Sequence, residues 1–211
     1  MTDQPELYCF AQSGNAYKIA IFFALTGQAW TPHFVDFFNG ETRTAAYRHS
    51  VNEMGEVPVL LKNGQKYTQS GAILTMLADE SGQFVGHTPQ ERYEILRWIL
   101  FDNHKFTNQY AMLRFLLAFA KTGETAVTDF LRGRVKAAFK LVDAHLATRS
   151  FVAADHVTIA DLSMAGYVYY PEEVGIDWAD YPHLVAWRER IAALSGWVHP
   201  YDLMPGHPLP V

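Results

Sequence analysis

The feature that most restricts the fold is a change of pattern near residue 88. Upstream, short strand-like apolar runs alternate with helical spacing; downstream, every apolar repeat has the helical period and no convincing strand occurs. Residues 7–10 form a short apolar run. Ser13-Gly14-Asn15 can cap the helix that follows, in which Ile19, Ala20 and Phe23 recur at helical spacing before Gly27, where a C′ glycine belongs. Residues 33–37 read as a second strand and 42–49 as a short helix. Residues 57–61 and 65–68 flank Asn63-Gly64, a two-residue hairpin signal. Gln69-Ser70-Gly71 then opens a helix carrying Ala72, Ile73, Leu74, Met76 and Leu77. A parallel βαβ unit, an antiparallel hairpin and a helix predict a small mixed sheet with helices packed on it.

Beyond the change, Thr88-Pro89-Gln90-Glu91 sets an N-cap, an N1 proline and an N3 glutamate in order. Leu131, Val135, Ala138, Phe139, Val142 and Leu146 make one apolar stripe. Thr158-Ile159-Ala160-Asp161 is a second capping box, with Val157 and Leu162 placed as a hydrophobic staple. A cap of this kind stabilises the fold by about 1 kcal/mol. A last helix covers about 183–193, and the tail 198–211, with four prolines, reads as extended. The expected organisation is an α/β domain over 1–80, a linker at 81–87 and an all-helical domain over 88–211 that includes the tail.

Composition narrows the function. Net charge is −5, spread evenly, with 5 basic and 8 acidic groups before residue 81 and 12 and 14 after it, which argues against a nucleic-acid partner. Charged residues make up 18% of the 211, below the roughly 25% of an average globular chain. Such a deficit predicts apolar surface covered by a second subunit. Residues 112–120, the most apolar stretch, are too few to span a bilayer, and the N-terminus has no basic or apolar leader segment. The single Cys9 allows no internal disulfide, and a cytoplasmic location with no membrane contact is expected.

No HExxH, no CxxC pair, no GxxxxGK[ST] loop and no metal-ligand spacing among the histidines is present. Cys9-Phe10-Ala11-Gln12 has glutamine where a dithiol oxidoreductase needs its second cysteine, and Cys9 itself reads as core filler. Two features remain. Ser13-Gly14-Asn15-Ala16-Tyr17-Lys18 lies at the first strand–helix junction. Val57-Pro58 opens the third strand, followed by Gln69-Ser70 at the next strand–helix junction. Proline there removes a ladder donor, and a cis peptide would turn the Val57 backbone toward an incoming ligand strand. Ser70 opens a helix whose free N–H groups favour a carboxylate or phosphate.

The order of these segments, LYCFAQSGNAYK, NEMGEVPVL, QSGAIL and TIADLS, resembles the cytosolic glutathione transferases over essentially the whole chain, and specifically their serine-type, theta-, beta- or nu-like members. The resemblance implies a thioredoxin-like N-terminal domain (βαβ–ββα) and an all-α helical C-terminal domain. It implies glutathione as co-substrate, conjugated to a small hydrophobic electrophile in detoxification by a homodimer, with peroxidase or disulfide-reducing side activity. It assigns Ser13 as the hydroxyl that stabilises the glutathione thiolate. The plain alternative for Ser13 is a helix cap, and Asn15 is its rival, since an amide can also donate to sulfur. Val57 with Pro58 would pair with the cysteinyl unit. Gln69 and Ser70 would hold the γ-glutamyl end, and Arg43, or else His49, the glycyl carboxylate. Cys9 occupies the slot of the tyrosine-type classes, and Tyr8 points to the opposite strand face.

The energetics suffice. Lowering a thiol pKa by roughly two units needs about 2.7 kcal/mol. One hydrogen bond to a charged acceptor supplies about 1.5–3 kcal/mol, and a helix N-terminus about 0.3–1 kcal/mol. The electrophile pocket is expected between the domains, lined by Phe10 and by a share of Phe106, Tyr110, Phe115 and Phe119. Two alternatives remain. One is a non-catalytic binding or scaffold protein of this fold. The other is a glutathione-dependent isomerase of the zeta type, whose doubled serine and nearby cysteine are missing from Ser13-Gly14-Asn15.

Overall fold

The computed structural model describes residues 4–209. They form two compact units, residues 4–83 with 194–209, and Phe84–Ala193. In the first, β1 (Glu6–Cys9), α1 (Gly14–Thr26) and β2 (Thr31–Phe34) make the βαβ unit. After a 3₁₀ turn at Glu41–Arg43 and α2 (Ala45–Ser50), β3 (Val59–Lys62) and β4 (Gln65–Thr68) form the hairpin that leads into α3 (Ser70–Ser81). The sheet order is β2-β1-β3-β4, with β1 parallel to β2 and antiparallel to β3. This is the thioredoxin-like arrangement.

Local chemistry accounts for each element. Along β1, Leu7 and Cys9 are fully buried while Glu6 and Tyr8 face outward, the alternation a one-sided strand requires. Helix α1 buries Tyr17, Ile19, Ala20, Phe22 and Phe23, so it is covered on several sides rather than along one stripe. Asn63 and Gly64 both take positive φ, 52° and 74°, as a type I′ hairpin turn demands. Two strand limits differ from the sequence expectation. β3 begins at Val59, not 57, because Pro58 has no N–H to give to the ladder. β2 begins at Thr31, whose N–H donates to the Pro5 carbonyl at 2.9 Å.

The second unit is all helical. α4 (Pro89–Phe101) runs through a π segment, Asp102–Phe106, into α5 (Thr107–Arg114) and a second π segment, Phe115–Phe119; α6 (Ala126–Leu146), α7 (Ile159–Met164) and α8 (Pro182–Ala192) follow. The Thr88 capping box forms, with the Glu91 amide donating to Thr88 Oγ1 at 3.1 Å. All six residues of the α6 stripe are buried. Inside the first π segment the buried Asp102 carboxylate accepts from Ser163 Oγ at 2.7 Å and from the Thr107 hydroxyl. No helix among the described residues is long and apolar enough to cross a membrane.

The tail departs from the expected organisation. Instead of belonging with the helical residues, residues 194–209 pack with the first unit and include a helical turn at Pro200–Leu203. Backbone carbonyls hold them there. Tyr17 Oη donates to the Val198 carbonyl at 2.8 Å, the Ala11 amide to Pro205 at 2.7 Å, and Gln12 Nε2 to Gly206 at 2.9 Å. Gly196 makes the return possible. Its φ is +90°, and a Cβ there would lie 2.6 Å from the Ala24 carbonyl oxygen, which is helix backbone and cannot yield. Gly196→Ala should therefore cost roughly 1–3 kcal/mol, read as a lowered urea midpoint.

Candidate functional site

Strand register brings the singled-out segments to one end of the sheet. Tyr8 of β1 faces Val59 of β3, and Val59 faces Thr68 of β4. At that end β1 and β4 finish and β3 begins. The segments Phe10 to Ser13, Val57-Pro58 and Gln69-Ser70 therefore all emerge there. Because β2 runs parallel to β1, with Cys9 opposite Phe34, the segment that leads to Arg43 leaves from the same end.

Ser13 is buried, at 5% exposure, and is the N-cap of α1, its Oγ accepting from the Ala16 amide at 3.2 Å. A hydroxyl has one proton and two lone pairs, so the cap bond leaves its proton free to donate. Asn15 sits one residue into the helix, and its Oδ1 is sealed from solvent without a hydrogen-bond partner. Both rivals for the sulfur are thus in the first turn of α1; the unused atom of Asn15 is an acceptor, so only its Nδ2 could serve a thiolate.

The Val57–Pro58 peptide is cis, as the sequence suggested. Among the described residues no hydrogen bond engages the Val57 amide or carbonyl, although the residue is half-buried. The preceding residue is firmly held. Tyr47 Oη and Asn52 Nδ2 both donate to the Glu56 carbonyl at 3.0 Å, and both side chains are buried. These two supports were not singled out from the sequence, where nothing beyond the asparagine of NEMGEVPVL marks them. Burial pushes the Tyr47 phenol upward, helped by the Glu41 charge, so it stays a donor.

Gln69 has φ 66° and ψ 106°, a backbone conformation that costs a non-glycine residue energy and that clusters at ligand-binding positions. Its Nε2 donates to Glu56 Oε2 at 3.0 Å. Ser70 is the first residue of α3 and buried at 6% exposure, and its hydroxyl makes no hydrogen bond among the described residues. A backbone segment and a helix-opening hydroxyl without hydrogen bonds among the described residues, with a strained residue beside them, are groups of the kind that can pair with an extended, carboxylate-bearing peptide.

Arg43 is exposed, its guanidinium folded back over Gly40, where a Cβ would lie 2.8 Å from Nη2. It makes no ion pair among the described residues. His49 is exposed in the last turn of α2. Cys9 is fully buried, and burial pushes its thiol up to about 12, which leaves it protonated and unreactive at neutral pH. Tyr8 lies outside the loop, stacked on His33 at 4.1 Å. Of the aromatic candidates, Phe10 packs on Phe37 at 4.8 Å, while Phe106 and Tyr110 stack on Phe139 at 4.9 and 5.7 Å inside the helical core. Phe115 is 39% exposed, the one of the set that clearly reaches solvent.

Comparison with known proteins agrees with this architecture. Residues 106–195 match the family model described as glutathione S-transferase, C-terminal domain. The chain is 31% identical to the maleylacetoacetate isomerase of Rhizobium meliloti, over 95% of this chain and 98% of that protein. It superposes on a glutathione S-transferase from Pseudomonas fluorescens with a TM-score of 0.89 and 28% identity, covering 95% of this chain and 100% of the other. A glutathione S-transferase from Xanthobacter autotrophicus gives 0.84 and 29%, covering 94% and 98%. From the sheet-end arrangement and these full-length likenesses, the chain belongs to the cytosolic glutathione transferase family.

Proposed function

We propose that this protein binds glutathione at the end of its sheet and transfers the tripeptide, as a thiolate, to a small hydrophobic electrophile. The observation that carries the reading is that the Val57 backbone and, at the start of α3, the Ser70 hydroxyl both lack hydrogen bonds among the described residues. The cysteinyl N–H and C=O would complete a short antiparallel pairing with Val57, ordered by Pro58. The γ-glutamyl carboxylate would take the Ser70 N–H and hydroxyl, with Gln69 and its partner Glu56 beside them. Arg43 would reach the glycyl carboxylate, with His49 as the alternative. The Ser13 proton would point to the sulfur, and Asn15 is the competing donor. In the reaction the thiol proton passes to solvent, the S–C bond forms, and the leaving group departs with its electron pair.

Titration calorimetry with millimolar glutathione tests the reading directly. Absence of binding would overturn every glutathione-dependent activity and leave a scaffold role. Ser70→Ala should raise the glutathione Kd by about tenfold or more, because a charge-assisted hydrogen bond is worth about 1.5–3 kcal/mol.

A second reading, glutathione-dependent isomerisation, is favoured by the full-length identity to an isomerase. It is opposed by the first loop, Ser13-Gly14-Asn15, which lacks the doubled serine and nearby cysteine of that class. Assays on an aryl halide, a hydroperoxide, a mixed disulfide and maleylacetoacetate would separate the chemistries. A cytoplasmic homodimer is part of the proposal. Tyr93, Leu96 and Leu100 lie exposed on α4 and Phe130 on α6, at 61%, 55%, 61% and 65%, an apolar surface of the kind a second copy covers. Light scattering should give twice the chain mass.

A further inference from the structure

The helical unit contains a cavity of about 840 Å³, formed by α5, α8 and the segment between α7 and α8. None of the residues assigned above to glutathione lies in this unit. Two of the lining groups are polar and unused. Tyr110 is 2% exposed, its ring packed against Phe139 and its hydroxyl without a hydrogen bond among the described residues. Burial pushes that phenol up to about 12, so at neutral pH it carries its proton and is a donor. Arg188, half-buried, lies 4.8 Å above the Trp178 ring and makes no ion pair among the described residues. Stacking on a ring face leaves the N–H edge of a guanidinium available.

Tyr110 lines the cavity, and its hydroxyl is not one of the sealed, unpartnered polar atoms, so it can donate to a ligand there. A half-buried guanidinium gains from a carboxylate, and none of the carboxylates lining the cavity forms an ion pair with Arg188. The neighbouring Glu172 is already taken by Arg114, in a bidentate pair at 2.9 and 3.0 Å. Glu173, Asp177 and Glu189 also line it but are exposed, where solvent and salt screen them, and Asp177 caps the turn that follows by accepting from the Ala179 amide. Val174 and Ile176 supply apolar wall.

We propose that this cavity is a second ligand site, for a small aromatic carboxylate. Its anionic oxygens would lie between the Arg188 guanidinium and the Tyr110 hydroxyl, with the apolar body against Trp178, Val174 and Ile176. The site goes beyond the glutathione reading and does not depend on it.

The probe is 2-naphthoate, with neutral 2-naphthamide as its near-isostere, each titrated by calorimetry and by quenching of tryptophan fluorescence. Saturable naphthoate binding is expected, with naphthamide about tenfold weaker or worse. Arg188→Gln should weaken naphthoate by about tenfold or more and reduce its preference over the amide. Tyr110→Phe should weaken naphthoate several-fold while leaving the thermal midpoint of the free protein equal to or above that of the wild type. Glutathione affinity should be unchanged in both variants, which separates a failure here from a failure of the glutathione reading. The proposal is overturned if naphthoate does not bind, if the amide binds as tightly, if Arg188→Gln has no effect, or if Tyr110→Phe lowers the midpoint, which would make the hydroxyl structural.

Discussion

Replacing Asp161 by alanine is expected to destabilise the protein by about 3–5 kcal/mol, because several buried neutral donors lose their acceptor at about 1–3 kcal/mol each, partly offset by relaxation. The carboxylate is fully buried and accepts four hydrogen bonds: from the Thr158 amide at 2.9 Å, Thr158 Oγ1 at 3.1 Å, the Val152 amide at 2.9 Å and Trp187 Nε1 at 2.9 Å. Burial drives its pKa up and the four donors oppose that. Alanine removes the acceptor and strands the donors in a place water does not reach, which is costlier than the lost bonds alone. The sequence expectation was a capping-box carboxylate worth about 1 kcal/mol. The structure raises it, because the same group also ties the chain before α7 and the indole of α8. Thr158→Ala, which removes one hydroxyl, is the control and should cost about 1 kcal/mol. Urea unfolding of both variants decides the matter. An Asp161→Ala cost no larger than that of Thr158→Ala would mean the two long-range bonds contribute nothing.

The contrast between those two residues shows what a sequence can reveal. Motifs whose parts lie within a few positions were legible: the Thr88 and Thr158 boxes, the Asn63-Gly64 turn and the α6 stripe all follow from local rules. So were the junctions at Ser13, Val57-Pro58 and Gln69-Ser70, each at a strand–helix junction or just before a strand, while their chemical roles belong to the proposed glutathione reading. Their convergence was accessible only through the fold, because it depends on which strands pair. What escaped the sequence depends on partners far along the chain. Arg114 and Glu172 are 58 positions apart, Asp102 and Ser163 61, and Gln12 and Gly206 194. The tail was misplaced for that reason. It is held by main-chain carbonyls at Val198, Pro205 and Gly206, and every residue type has such a carbonyl. The π segments were equally hidden, since the Asp102 carboxylate takes one of its bonds from Ser163 of α7, far along the chain, besides the local one from the Thr107 hydroxyl.

Ser13→Gly should lower the rate of glutathione conjugation by at least about tenfold at neutral pH, the equivalent of losing one hydrogen bond of about 1.5–3 kcal/mol to a thiolate. Glycine is the informative replacement. Ser13 Oγ is also the cap of α1, so alanine would mix a catalytic loss with a folding cost of about 0.5–2 kcal/mol, whereas glycine at an N-cap costs only a few tenths. The sign of the pH effect follows from the same bond. A donor to the sulfur stabilises the thiolate and lowers the pKa of bound glutathione, so removing it raises that pKa. The rate should then fall most at low pH and recover as the pH passes the new, higher value. Ultraviolet absorbance of the bound thiolate, titrated with pH, measures this without any second substrate. Asn15→Ala is the rival experiment, because Asn15 is in the same helical turn and its Nδ2, unlike the sealed acceptor Oδ1, is a group that can donate to sulfur. If Ser13→Gly keeps both the rate and the thiolate titration of the wild type while Asn15→Ala shifts them, Asn15 is the donor and Ser13 is a cap alone.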